Sequence, residues 1–180
     1  MFEEMPLSKS ERYLILSDLA LLIFAFYYNL GIYPLTLEEP RRGLIALEML
    51  INDNFWVPTQ TGTLYYRKPP VYNWLLIFSF DLFGQASEFA VRFFSVFSHL
   101  LSGLVLFFFV KKYLNASLAI ITAFGFLVSV DILTYFSALG EIDLFYALIT
   151  SLSIFLIFHF GQKKHYWTLF LTVYTLTALG

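Results

Sequence analysis

Cysteine is missing altogether from the 180 residues. That excludes a disulfide scaffold, a thiolate metal centre and a cysteine nucleophile, and leaves the redox compartment open. Charge is scarce too: Asp, Glu, Lys and Arg make up 13% of the chain, against about 25% in an average soluble domain. A net charge of −2 sets aside a strongly basic nucleic-acid binder. The chain also lacks an internal repeat, a low-complexity tract and a flexible linker, and no small-residue cleavage pattern follows its first apolar run. Tyr27, Tyr28, Tyr33 and Pro34 stand there instead, so that run reads as a retained helix rather than a removable leader. What fills the chain is apolar. Hydrophobic residues make up 59% and aromatic residues 21%, which is membrane-protein composition.

A helix needs roughly 20 apolar residues to cross the hydrocarbon core. Four segments approach that length, at about 14–33, 93–110, 117–136 and 142–160. A fifth opens at Tyr166 and reaches Gly180 in the middle of an apolar run, so the chain is expected to be the N-terminal part of a longer protein. The expected fold class is an all-α integral membrane protein with a long outer loop, 34–92, and a short one near 137–141. Lys9 and Arg12 precede the first segment, Lys111 and Lys112 follow the second, and Lys163 and Lys164 follow the fourth. Alternating segments put all three clusters on one side, which the distribution of Lys and Arg makes cytoplasmic, with the N-terminus there and both loops outside. The stretch "VYNWLLIFSFDLFG", Val71 to Gly84, is about 20 Å long as a helix, too short for about 30 Å of hydrocarbon. It is expected to lie on the outer leaflet as an interfacial helix, started by Pro69 and Pro70.

The outer loop opens with "YPLTLEEPRRGLIALEML", Tyr33 to Leu50. Helical spacing from 38 onward places Glu38, Arg41, Arg42 and Glu48 on one side and Leu44, Leu47, Leu50 and Ile51 on the other, an amphipathic helix at the membrane surface. A solvated charged face accounts for this stretch equally well when it is taken alone. Further on, "YYRKPPVYNW" holds Arg67 and Lys68 in front of two prolines, which forces Lys68 toward extended geometry and presents its ammonium stiffly. The bland alternative is a lysine reaching to lipid phosphate. In "SALGEIDLFY", Glu141 and Asp143 start the fourth segment. Acids favour a helix N-terminus by about 0.3–1 kcal/mol, but ionisable groups at the edge of an apolar zone are also functional candidates. Together the three pieces bring carboxylates and fixed cations to one compartment. Displacement at a phosphate-linked group uses both, a carboxylate to take the proton of the attacking group and cations to stabilise charge on the leaving phosphate.

The spacing of Glu38, Glu39, Pro40, Arg41, Arg42, Glu48 and Met49 is similar to the D-E-x-R-Y-x5-E-M signature of bacterial polyprenyl-phosphate-sugar transferases. "NFWVPTQTGTLYYRKPPVYNWLL" resembles the family's G-D-W-x-x-P…G-x-x-Y-x-x-K-P-P-x-x-x-W block, and "FGQASEFAVRFFSVF" resembles its F-G…E-F-x-x-R segment through Glu88 and Arg92. These are GT-C-fold glycosyltransferases, a group that includes lipid A aminoarabinose transferases and protein O-mannosyltransferases. The resemblance spans roughly residues 12–160. It implies a GT-C-like N-terminal transmembrane bundle with amphipathic juxtamembrane helices in the first outer loop. The implied reaction is inverting transfer of a sugar from a polyprenyl-phosphate carrier to a glycolipid, glycan or protein acceptor, on the outer face of a bacterial inner membrane. Membrane lipid is the implied surrounding, and nucleic acid is not a partner.

By the same resemblance Glu38 and Asp143 are the catalytic acids, Lys68 is the ligand of the carrier phosphate, and Arg41, Arg42 and Glu39 belong to the substrate site. Glu38 stands where the family has Asp, and Arg67 stands where metal-bearing relatives carry an acid. No metal ligand is therefore assigned, although a divalent cation among Glu38, Glu39 and Asp143 would find oxygen ligands. A non-catalytic membrane scaffold or lipid-phosphate-binding subunit is the alternative from another class. His99, His159, Asp18 and Asp131 are read as packed, hydrogen-bonded or interfacial groups.

Overall fold

The computed structural model describes residues 8–129, 139–162 and 166–179. Asp131, Lys163 and Lys164, with the later part of the expected 117–136 segment, lie outside them. Helix α1 runs Lys9–Tyr28. It begins before the apolar run does because Ser8 and Glu11 close a reciprocal capping box, each side chain bonding the other's backbone N–H. Helix α2 runs Glu39–Ile51, with Pro40 in its first turn where the missing N–H costs nothing. A two-residue ribbon follows, β1 (Thr59–Gln60) antiparallel to β2 (Thr63–Leu64), with Thr59 opposite Leu64 and Gln60 opposite Thr63. Its turn residues, Thr61 and Gly62, both have positive φ, 51° and 75°, as the right-handed twist of a tight hairpin requires.

Helix α3, Val71–Phe83, starts after Pro70 and ends at Gly84, whose φ of 69° forms a left-handed cap. Helix α4, Glu88–Tyr113, starts ahead of the expected 93, because the Ser87 hydroxyl accepts from the Ala90 N–H and gives the helix its first turn. Helix α5 runs Ala116–Leu127, α6 Asp143–Gln162 and α7 Tyr166–Leu179. Helices α4 and α6 are long and apolar enough to cross a membrane; at 1.5 Å per residue they measure about 39 and 30 Å.

Helix α4 is the centre of the structure, packing against α1, α2, α3, α5 and α6. Tyr27, near the end of α1, meets Phe89 and Phe93 at the start of α4, and Phe26 meets His99 edge-on. The two helices therefore run antiparallel. Two glycines let segments touch α4 closely: a methyl on Gly43 would stand 3.2 Å from Val91 Cγ2, and one on Gly140 would stand 2.6 Å from Val91 Cγ1. Val91 is thereby clamped between α2 and the segment leading into α6. The main core joins Ile45, Ala46 and Met49 of α2 to Tyr72, Leu76 and Phe80 of α3, Ala90 and Val91 of α4, and Ile142 and Phe145 at the start of α6.

One expectation is revised by this packing. The face of α2 that points inward is the one with Arg42, Gly43, Ala46 and Met49, whereas Leu44 and Ile51 are exposed. Arg42 therefore sits inside and not on a solvated charged face, with its guanidinium on the Tyr65 hydroxyl. Helix α3 has the expected length, but one side of it, Tyr72, Leu76, Ser79 and Phe80, is buried against protein, while Phe78 and Leu82 remain exposed.

Candidate active site

The end of the bundle where α1 finishes and α4 and α6 begin is organised by one arginine. Arg92, on the second turn of α4 and 4% exposed, donates from Nε to Glu39 Oε1 at 2.7 Å and from Nη2 to Glu39 Oε2 at 2.9 Å. Its remaining donors reach the carbonyls of Leu30 and Tyr33, each at 2.8 Å, and of Pro34 at 3.0 Å. A guanidinium fork thus satisfies carbonyls of the loop that follows α1. Glu39, fully buried, also accepts from the N–H of Thr36 at 2.8 Å and of Gly140 at 2.6 Å. Burial by itself would raise its pKa, but the Arg92 fork and these amides more than offset that and hold it below the usual range. The carboxylate is committed to the protein. It ties the end of α1, the start of α2, the start of α4 and the segment before α6 into one block. Leu37, at φ 52°, supplies the reversal just before it.

On this block the cationic and acidic groups converge. Arg42 is 5% exposed and makes one hydrogen bond, from Nη1 to the Tyr65 hydroxyl at 3.3 Å, while its Nε lacks a partner among the described residues. No carboxylate lies within ion-pair distance of it among those residues; the pairs there are Arg41 with Glu38 and Arg92 with Glu39. A buried guanidinium without a counter-charge is costly, and such groups are normally paired or bind a ligand. Lys68 stands 5.7 Å over the ring of Tyr146, on the first turn of α6. Glu141 is half-buried and Asp143 exposed. Burial first, then the hydrogen bond to Asp143 and its charge, push Glu141 above the usual carboxylate range, with Arg42 pulling the other way. A carboxyl reluctant to ionise, Glu141, thus stands beside the exposed Asp143, and such a pair suits acid–base work. A relay fixes them from behind: the Tyr72 hydroxyl donates to Ser95 Oγ at 2.9 Å, and Ser95 donates to the Glu141 carbonyl at 2.8 Å.

The residues singled out from the sequence therefore fall in three places. Arg42, Lys68 and Asp143 share one electrostatic neighbourhood with Glu141. Glu38 and Arg41 pair with each other at the first turn of α2, both partly exposed. Glu39 turns inward to Arg92, so Glu38, Glu39 and Asp143 do not assemble a cation site; among the described residues no three potential ligands do. Sequence reasoning gave Arg92 no role and named neither Tyr65 nor Tyr146. Arg92 and Tyr65 were visible as motif positions, but Arg92 looks like a helical partner of Glu88, four residues earlier. Its true partner is 53 residues away. His99 is buried within α4, with Nε2 3.2 Å from the Leu127 carbonyl.

A bundle of this kind, with two membrane-length helices, has counterparts among known proteins. Residues 67–180, more than half of the chain, match the model of the dolichyl-phosphate-mannose-protein mannosyltransferase family, and the chain belongs to that family. Among similar proteins is the undecaprenyl phosphate-α-4-amino-4-deoxy-L-arabinose arabinosyl transferase of Shewanella sediminis, 34% identical over 61% of this chain and 21% of that protein. The like-named protein of Erwinia tasmaniensis is 36% identical over 60% of this chain and 21% of its own length. The chain spans about a fifth of the length of these curated relatives. The crystal structure of ArnT from Cupriavidus metallidurans in the apo state superposes with a TM-score of 0.73 over 83% of this chain and 28% of that one, at 21% identity. The fold is accordingly the GT-C membrane fold, mainly helical, with a two-stranded ribbon and no closed sheet among the described residues.

Proposed function

We propose that this chain carries the donor-binding end of a glycosyltransferase that takes a sugar from a polyprenyl-phosphate carrier. The relatives named for undecaprenyl-phosphate aminoarabinose and the family named for dolichyl-phosphate mannose support that donor class. The observation that carries the reading is the buried guanidinium of Arg42, with no carboxylate at ion-pair distance among the described residues, close to the Tyr146 ring that Lys68 covers and to the Glu141–Asp143 pair. Arg42 and Lys68 hold the carrier phosphate, with Arg41 at the edge of the same anion site. A hydroxyl oxygen of the acceptor attacks the anomeric carbon while the bond from that carbon to the carrier phosphate oxygen breaks. The phosphate leaves with the electron pair, the configuration inverts, and Asp143 or Glu38 takes the acceptor's proton. Glu39 acts by position, holding Gly140 and the acidic pair against α4. The acceptor is a lipid A-like glycolipid, a glycan or a protein. The site faces the outer side of the inner membrane, with the N-terminus cytoplasmic, as the three Lys and Arg clusters suggest.

The test uses the full-length protein with a polyprenyl-phosphate sugar. Arg42→Gln and Lys68→Ala are expected to weaken donor binding at least about ten-fold, the loss of one charge-assisted contact. Asp143→Asn is expected to lower turnover by about 10²–10⁴ with donor affinity retained. Unchanged donor affinity in both cation variants would remove the phosphate site from this end of the bundle. Full turnover in Asp143→Asn and Glu38→Gln alike would remove the proposed bases.

A further inference from the structure

A cavity lies far from the acidic cluster, between α1, α4 and α5. It holds about 480 Å³ and is lined wholly by apolar side chains, among them Leu16 and Leu19 of α1, Leu104 and Phe107 of α4, and Ile120 and Phe124 of α5. That volume is in the range of ligand pockets. Its lining on α4 extends from Phe97 to Phe107, about 15 Å of helix, the depth of one leaflet's hydrocarbon.

What stands at its mouth identifies the occupant. The α1 residues that line it, Ile15, Leu16, Leu19 and Ile23, form one stripe, and Arg12 continues that stripe one turn toward the N-terminus. On α4 the lining residues, from Phe97 through Leu104 to Phe107, form a second stripe that Lys111 continues toward the C-terminus. The Lys111 ammonium stands 5.6 Å over the ring of Phe107, itself part of the lining. Because α1 and α4 are antiparallel, Arg12 and Lys111 belong to the same end of the bundle, and both are exposed. The acids of α1 do not share this face: Glu11 and Asp18 lie about 100–120° round the helix from Arg12. Lys112 is turned away as well, toward His159 Nε2 at 3.3 Å.

We propose that this cavity binds one anionic bilayer phospholipid from the leaflet around the N-terminal end of α1. An acyl chain fills the apolar space, and the headgroup phosphate sits between Arg12 and Lys111. Apolar clefts between membrane helices with cations at the mouth suit acidic lipid headgroups. This lipid is structural or regulatory and separate from the carrier, whose phosphate the proposed function places at the opposite end of α4.

Native mass spectrometry of the full-length protein, extracted from its own membranes in mild detergent and then titrated with phosphatidylglycerol or phosphatidylethanolamine, tests this. Wild type is expected to bind one phosphatidylglycerol in clear preference to phosphatidylethanolamine. Arg12→Gln and Lys111→Gln should each weaken phosphatidylglycerol about five-fold, leave phosphatidylethanolamine unchanged, and contrast with Lys112→Gln, which should change neither. Leu104→Trp, filling the cavity, should block both lipids; the exposed charge variants carry the test on their own if that variant does not fold. Equal binding of the two lipids, an equal loss in Lys112→Gln, or recovery of a polyprenyl phosphate in this position would overturn the proposal.

Discussion

Replacing Glu39 by Gln probes the block on which the site stands. Arg92 is 4% exposed and Glu39 fully buried, so the substitution leaves a guanidinium inside without a counter-charge. Breaking a buried pair from one side costs about 3–5 kcal/mol. The amide can still accept from Gly140 or Thr36, which keeps the expected loss at the lower end, whereas Arg92→Met also strips the carbonyls of Leu30, Tyr33 and Pro34 of their donors and should reach the upper end. The double variant Glu39→Gln with Arg92→Met should cost less than the sum of the two, because the second change removes the charge that the first one orphaned. Denaturant unfolding of the full-length protein in detergent measures all three. The pH profile supplies an independent sign. The pair holds Glu39 below its ordinary range, so near and below pH of about 4.3 the unfolded chain binds more protons than the folded one at this site. The stabilisation is present above that range and is lost as pH falls through the depressed value. That acid limb should be missing in Glu39→Gln. A loss under about 1 kcal/mol in both single variants, the size of an exposed pair, would refute the account of Arg92 as the organiser of this end.

Further outcomes follow from the same geometry. Gly140→Ala would set a methyl 2.6 Å from Val91 Cγ1 and 2.9 Å from its carbonyl oxygen, so a loss of about 1–3 kcal/mol is expected; Val91→Ala should recover only part, because the backbone oxygen remains. Glu48 accepts from Thr59 Oγ1 at 2.6 Å, from the Thr61 N–H at 2.6 Å and from the Gly62 N–H at 3.3 Å, so Glu48→Ala should loosen the hairpin tip by about 1 kcal/mol or more. Hydrogen exchange should then accelerate at Thr61 and Gly62 while the buried amides of α4 stay protected; unchanged exchange at the tip would show that the turn residues hold it alone.

Some of this protein was legible residue by residue. Composition and long apolar runs require helices in a bilayer, since lipid leaves no other partner for backbone polar groups. The Pro-Pro pair before Val71 and the glycine at 84 delimit α3, because both act through local backbone sterics. The motif order identified the family, because each motif is a run of neighbouring residues. Helix starts at Lys9 and Glu88 were less visible: capping by Ser8 and Ser87 outweighs hydropathy at a helix end, and a hydropathy window does not see it.

What the sequence by itself determined is the chemistry at hand: apolar segments, a helix that begins with Glu38 and Glu39, two cations in the outer loop beside Pro69, and acids at the head of α6. Which charges meet was decided only by tertiary structure. Helical periodicity gave Arg42 a solvated face, yet the packing of α2 buries it and sets its guanidinium on Tyr65. Glu38 and Glu39 are adjacent in the chain and alike in composition, but a helix turns about 100° between neighbours. One carboxylate therefore stays with Arg41 at the surface, and the other is carried inward to an arginine on α4.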